Sequence, residues 1–282
     1  MIPRSAARFP RGVWRMCVVL LTAPATSVLS QPPAPLITHR DMALFAEATL
    51  ATAALSRLDV RFANALYDSA FQVHHPGITS AAHRASYATE TVYMLTGATV
   101  WGVARWRQSE GTADVAFHTT ESVAATAVFI QVIRGALGRS RPYVVDAVGE
   151  KRNGDPYEFQ FFRGFRSYNY RSFPSMHAMA SFAVASALAT EMKRRNTPNQ
   201  AVLAPVLYAG AALPSLSRMY LDEHWASDIA LGVFLGVFAG QKAVNYSHDH
   251  PGNYFDRKFL SPSVRATFTH DAGGLSFTLL PF

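Results

Sequence analysis

Three short blocks of the sequence concentrate side chains that can handle a tetrahedral anion. They are Arg134-Gly-Ala-Leu-Gly-Arg-Ser-Arg141-Pro142, Ser172-Phe-Pro174-Ser175-Met176-His177 and Ser217-Arg218-Met-Tyr-Leu-Asp-Glu-His224-Trp-Ala-Ser-Asp228. Guanidinium forks match phosphate oxygens two at a time and stay charged at any physiological pH. Pro174 suits the first turn of a helix, so Ser175, Met176 and His177 would open one, with backbone N–H groups lacking helix partners and able to hold an anion. His224 and Asp228 are four apart, which on a helix places them on one face. A carboxylate on one imidazole nitrogen fixes the tautomer and leaves the other free to attack. His177 would then protonate a departing oxygen. The chemistry expected is covalent phosphoryl transfer, with no metal and no cofactor required.

Joined in this order, the blocks resemble the three-part signature of the type 2 phosphatidic acid phosphatase superfamily, which also contains bacterial class A acid phosphatases and vanadium haloperoxidases. That signature is a basic residue, six residues and Arg-Pro, then Pro-Ser-Gly-His, then Ser-Arg, five residues, His, three residues and Asp. Arg134 stands where Lys is usual and keeps the charge. Met176 stands where Gly is usual; its N–H can still donate, while its side chain is expected to narrow the pocket. The 31 residues between Pro142 and Pro174 and the 39 between His177 and Ser217 fall within the family's separations. The resemblance runs from about Tyr87 to Asn245. It implies an α-helical bundle, His224 as nucleophile, Asp228 as its orienting partner and His177 as general acid. It also implies Arg134, Arg141, Ser175, Met176 N–H and Arg218 as ligands of the phosphoryl oxygens. A vanadium haloperoxidase is the alternative enzyme, and a non-enzymatic envelope-associated binding protein the alternative outside catalysis.

The elements that must position these blocks follow from periodicity and punctuation. Thr38 to Asp41 has the form of a capping box ahead of a helix that starts near Met42. Asp59 reads as the cap of a second helix, and His74-His75-Pro-Gly77 breaks the chain. Apolar helical stretches recur near Tyr93–Trp106, Val115–Leu137, His177–Glu191, Ala201–Leu216 and Ser227–Ala243. Tyr143 to Phe173 lacks that pattern. Its aromatics and its Arg163, Arg166 and Arg171 suit a lid over a phosphorylated amphiphile. Val264–His270 and Leu275–Leu280 alternate around Asp-Ala-Gly-Gly and read as a β-hairpin. The terminal Phe282 resembles the last residue of an outer-membrane barrel strand, but two strands cannot close a barrel. The expectation is an all-α bundle with a small C-terminal hairpin, a single domain overall. It comprises a signal peptide (1–30), N-terminal helices packing on the core (31–86), the catalytic helical core (87–247), and a loop and hairpin (248–282).

Composition narrows the partners and the compartment. The formal charge is +7, yet Arg4, Arg8, Arg11 and Arg15 supply four of those charges, and the first 30 residues contain no acid. Without that stretch 22 basic residues face 19 acidic ones, which gives no footprint for nucleic acid. A basic start, a short apolar run and small residues at Ser27 and Ser30 read as an export signal. The expected location is therefore the periplasm or cell envelope, with an integral inner-membrane protein as the alternative. Cys17, the only cysteine, falls inside that signal, leaving no thiol for disulfides or metals in the processed chain. The helical stretches have uncharged cores of about 12 to 17 residues, short of the ~20 that span hydrocarbon. A buried bundle is the reading, with a possible membrane surface as partner. His248-Asp249-His250 and His74-His75 could ligate a metal, but such loop histidines are ordinarily solvated. His118 and Glu121, three apart, read as a packed polar pair. The substrate is expected to be a phosphorylated small molecule or lipid.

Overall fold

Runs of Ala, Gly, Ser and Val broken by few charges dictate helices that pack closely. The computed structural model describes residues 37–67, 69–145, 151–260, 264–271 and 274–281. The expected signal peptide, with Cys17, and the terminal Phe282 lie outside them. Helix α1 (His39–Ser56) begins at the capping box: Thr38 Oγ1 accepts from Asp41 N–H at 3.2 Å and Thr38 N–H donates to Asp41 Oδ2 at 2.8 Å. Short helices α2 (Asp59–Leu66), α3 (Ser69–His74) and α4 (Pro76–Ser86) follow, with the break at His75-Pro76 where it was expected. They lie on the core: Gln72 Nε2 donates to the Tyr220 carbonyl at 2.8 Å, and the Thr79 and Tyr220 hydroxyls meet at 3.0 Å.

The core is α5 (Glu90–Trp106), α6 (Glu110–Leu137), α7 (Met176–Arg194), α8 (Gln200–Tyr220) and α9 (Ala226–Asp249). A short α10 (Tyr254–Phe259), not expected from the sequence, closes the bundle. The aromatic connection holds a two-stranded antiparallel sheet, β1 (Tyr143–Val145) with β2 (Lys151–Asn153), and 3-10 turns at Arg163–Phe165 and Tyr168–Tyr170. Strands β3 (Val264–Asp271) and β4 (Gly274–Pro281) pair antiparallel, Val264 opposite Pro281 and Asp271 opposite Gly274.

Two features of this packing decide where the site sits. Helices α7 and α9 touch backbone to backbone. A Cβ on Gly232, Gly236 or Gly240 would lie 2.6, 2.3 or 2.6 Å from the carbonyl oxygens of Ser175, Met179 and Ala183. This i,i+4 glycine row brings the two helix N-termini side by side. The second feature is an inversion of size. The buried core is largely Ala with Val123, Ile130, Met176, Met179 and Leu235, whereas large apolar side chains on α5, α6 and α8 point outward. Leu95 is 64 % exposed, Val128 69 % and Val202 66 %. By length and composition α8 and α9 could each cross a membrane.

Gly236→Val places a branched side chain against the Met179 carbonyl. It is expected to cost about 3 kcal/mol, the upper end of overpacking penalties, read as a lowered unfolding midpoint with a parallel fall in activity.

Candidate functional site

The site is assembled where α7 and α9 begin. Ser175, fully buried, is the N-cap of α7: its Oγ accepts from Ala178 N–H at 3.4 Å, and its own N–H donates to the Asp228 carbonyl at 3.0 Å. Met176 opens the helix, and the structure corrects the expectation about its side chain. The thioether packs into the apolar cluster with Val123, Ala127 and Ile130 and is 3 % exposed, so it takes nothing from the pocket while the first-turn N–H groups keep their outward aim. His177 Nε2–H donates to the Ser86 carbonyl at 3.1 Å.

His224 is buried in the turn before α9, and its Nδ1 lies 3.3 Å from Asp228 Oδ2. With the proton on Nδ1, Nε2 is the unprotonated nitrogen. The His224 and His177 ring centres are 6.5 Å apart. A phosphoryl group, bonded to one nitrogen and hydrogen-bonded through its leaving oxygen to the other, bridges such a gap. Arg134, Arg141 and Arg218 all act electrostatically on the His177 ring, and Arg141 and Arg218 on His224. The structure thus brings the expected phosphate-site residues Arg134, Arg141, Ser175, Met176, His177, Arg218, His224 and Asp228 to one end of the bundle.

Partners remote in sequence complete it. Arg139 lies inside the first block but was given no role there. Its Nη1 donates to Asp228 Oδ1 at 2.5 Å and to Ser227 Oγ at 2.8 Å, and its Nη2 donates to Asp59 Oδ2 at 2.7 Å. Asp59 was expected to cap its own helix; instead its carboxylate accepts from Ser227 N–H at 2.9 Å, in the first turn of α9. Asp228 Oδ2 further accepts from Trp225 N–H at 2.9 Å and from the Ser172 hydroxyl. A buried carboxylate–guanidinium–carboxylate chain therefore holds the partner of His224. The only trace in the sequence was an arginine between two others that had obvious roles.

Glu223 was also missed. Its carboxylate lies 2.9 Å from Arg141 Nη1 and 3.0 Å from Arg218 Nη2, and accepts from Tyr168 OH at 3.0 Å and Tyr143 OH at 3.3 Å. A protein carboxylate thus sits on the two guanidiniums expected to receive substrate oxygens. The Tyr168 ring lies 4.0 Å beneath the Arg141 guanidinium, and Tyr168 OH accepts from Arg218 Nη2 at 2.9 Å, so the aromatic connection supplies part of the site. The connection is pinned rather than loose: Gln160 and Phe162 N–H each donate at 2.8 Å to the carbonyls of Gly138 and Ala136. Gly138, in the left-handed region at φ 60°, ends α6 and has no room for a Cβ against the Gln160 carbonyl. Two of the loop arginines are spent internally, Arg163 on Gln160 and the Tyr170 ring and Arg171 on the Gly164 and Phe165 carbonyls. Beside Arg218 and Glu223 opens a polar cavity of about 320 Å³, lined also by Gln72, His83, Ser86 and Asn153.

Residues 116–250 match the family model of the PAP2 superfamily. The matched region, which carries all three blocks, is of the PAP2 superfamily. With that membership it is a phosphoric ester hydrolase of all-α, PAP2-type fold. Among solved structures, a transmembrane PAP2-type phosphatidylglycerolphosphate phosphatase from Bacillus subtilis is similar at 18 % identity, over 72 % of this chain and 98 % of that one, with a TM-score of 0.39. No curated protein gave a significant match.

For a PAP2 site the charge state of the reactive histidine matters. Burial, reinforced by Arg141 and Arg218 and only partly offset by the bond to Asp228, holds the His224 imidazole down at about 3. The unfolded chain takes up that proton near 6.5. This group's contribution to stability is therefore complete above pH 6.5 and declines as pH falls towards 3. The expected outcome is a His224 ring that stays neutral at pH 5, read by NMR titration of its ring carbons; a midpoint near 6.5 would contradict the geometry. Glu223→Gln removes a competing anion from Arg141 and Arg218. Vanadate inhibition is expected to tighten on the order of 10-fold, with the unfolding midpoint little changed.

Proposed function

We propose that the protein hydrolyses a phosphomonoester or diphosphate carried by a membrane lipid or prenyl substrate, through a phosphohistidine on His224. The observation that carries this reading is the facing pair of imidazoles. One is tied through Nδ1 to a buried carboxylate, the other holds its proton on Nε2 beside the polar cavity, and three guanidiniums surround them.

Binding begins when the substrate phosphate displaces the Glu223 carboxylate from Arg141 and Arg218. Arg134, Ser175 and the Met176 N–H take the remaining oxygens, so that charge growing on the equatorial oxygens meets donors already in place. The His224 Nε2 lone pair attacks phosphorus, an N–P bond forms, and the P–O bond to the leaving group breaks. His177 takes up a second proton once the bound phosphate offsets Arg134, Arg141 and Arg218; the departing oxygen takes the Nε2 proton of that imidazolium, leaving His177 neutral, and departs by the cavity of about 320 Å³. Asp228 holds the imidazole square to phosphorus and balances the charge that develops on it, while Arg139 keeps Asp228 ionised and Asp59, bonded to Arg139, helps to hold it in place. Water then attacks the phosphohistidine, gives its proton back to His177 and releases phosphate.

The membrane part of the reading rests on the outward apolar side chains of α5, α6 and α8. So many exposed large apolar side chains on three helices are uncommon on a water-soluble monomer, and small residues inside with large ones outside is an arrangement that lipid-embedded bundles use. Phe161, Phe162, Phe165 and Tyr168 stand exposed at the active-site end, suited to a headgroup boundary. The phosphate site would then lie at the membrane surface, in reach of water and of a lipid headgroup together.

Acid-quenched reactions with labelled substrate are expected to leave acid-labile, base-stable phosphate on the wild-type chain and none on His224→Ala, whose turnover falls at least about 10³-fold. Undiminished turnover in that variant would remove the mechanism. In the same preparations the chain should stay with the membrane pellet through an alkaline wash; release into the supernatant would remove the lipid-embedded placement and leave the chemistry untouched.

A further inference from the structure

At the far end of the bundle the structure joins side chains that the sequence kept apart. His118 of α6 does not pair with Glu121, which turns instead to a separate apolar cavity that Lys242 and Phe238 also line. His118 Nδ1 lies 2.6 Å from Oε1 of Glu191 on α7. His248, near the end of α9, places Nε2 3.1 Å from each Glu191 oxygen. The neighbours that made a histidine loop look metal-binding go elsewhere: Asp249 pairs with Arg194, and His250 Nδ1 donates to the Tyr246 carbonyl. His74 and His75 likewise donate to the Ala70 and Phe71 carbonyls of their own helix.

We propose that His118, Glu191 and His248 form a structural site for a divalent transition metal, zinc foremost, about 22 Å along α7 from the phosphate site. Their ligand atoms all lie within 4.8 Å of one another. Tetrahedral zinc with bonds near 2.0–2.1 Å needs ligand atoms about 3.3 Å apart, so shifts of less than about 1 Å seat the ion. Two imidazoles and a carboxylate, without a thiolate, are a donor set zinc accepts.

A second observation points the same way. His118 is 3 % exposed, and its Nε2 is buried with no hydrogen-bond partner, 3.7 Å from Asp256 Oδ1 on α10. A histidine that ligates through one nitrogen characteristically turns the other N–H to a carboxylate, and that is the direction this nitrogen faces. Zinc takes the place of the Nδ1 proton, which is released, while the Nε2–H remains for Asp256. Arg195 Nε, 2.8 Å from Glu191 Oε2, orients the carboxylate so that Oε1 meets the ion. The fourth position opens on a cavity of about 420 Å³ lined by Asp114, Ser247, His248, Asp256 and Arg257, which gives zinc an entry path and water a place to bind. The ion would clamp α6, α7 and α9 at the end where no glycine row holds them.

Full-length protein, stripped with a chelator and dialysed against zinc, is expected to hold about one zinc per chain by elemental analysis. With zinc at ~100 times its dissociation constant the unfolding midpoint should rise by roughly 5–10 °C. His248→Gln, at the most accessible ligand, should fold and keep phosphate release within about twofold, yet lose both the zinc and the shift in midpoint. His248→Cys, which restores a ligand atom, should regain both. Zinc content unchanged in His248→Gln, or a stripped wild-type chain that neither binds zinc nor responds to it, would overturn the site and leave an ion-pair cluster only.

Discussion

Burying a carboxylate without a cation beside it costs several kcal/mol, and this protein buries two, Asp228 and Asp59, against one guanidinium. Arg139 bridges them, and the bridge joins all three sequence blocks to the N-terminal helices. Removing Arg139 leaves both carboxylates uncompensated in a dry interior. The placement of His224 is therefore inherited from the fold as a whole and not from its local turn. Ser172 and Trp225 N–H add their bonds to the same carboxylate, so Asp228 has little freedom of position. A nucleophile oriented by a group so restrained pays little reorganisation cost when it attacks.

The glycine row along α9 supplies what charge pairing cannot, the distance between the two helix starts. With Ser175 N–H donating to the Asp228 carbonyl, the first turns of α7 and α9 are stitched directly. The imidazole separation follows from a backbone contact that larger side chains would forbid. Met176 fits the same logic. It stands at a position where its side chain meets α6, and it fills the core while its amide stays with the site.

The helices were readable because apolar residues recur at helical spacing, and the site residues because their chemical types matched one reaction in one order. Glu223, Arg139 and Asp59 were not, since most of their partners lie 55 to 168 residues away. Nothing local distinguishes a glutamate on two arginines from a glutamate in water. His118 shows the opposite failure: a plausible neighbour, Glu121, lay three residues off, while its actual partner lies 73 residues on. Sequence spacing reports who shares a helix face, and it is silent about which face of which helix comes opposite.

The same silence hid the size inversion. A helix of Ala, Gly and Val reads as a buried core segment whichever side its few large residues occupy, because periodicity does not say whether those residues face a neighbour or a solvent. Once packing resolves this, the position of the charges acquires a reason. A bundle filled with small apolar residues and clothed in large ones offers no place to solvate charge along its middle. Ionic side chains gather at the two ends, where helix termini supply N–H and C=O groups and water can reach. One end of this bundle carries helix N-termini and guanidiniums and suits an anion. The other carries two imidazoles on a buried glutamate and suits a cation. Opposite chemistry at the two ends follows from the direction in which α7 and α9 run, side by side and stitched at their starts by Ser175 and Asp228.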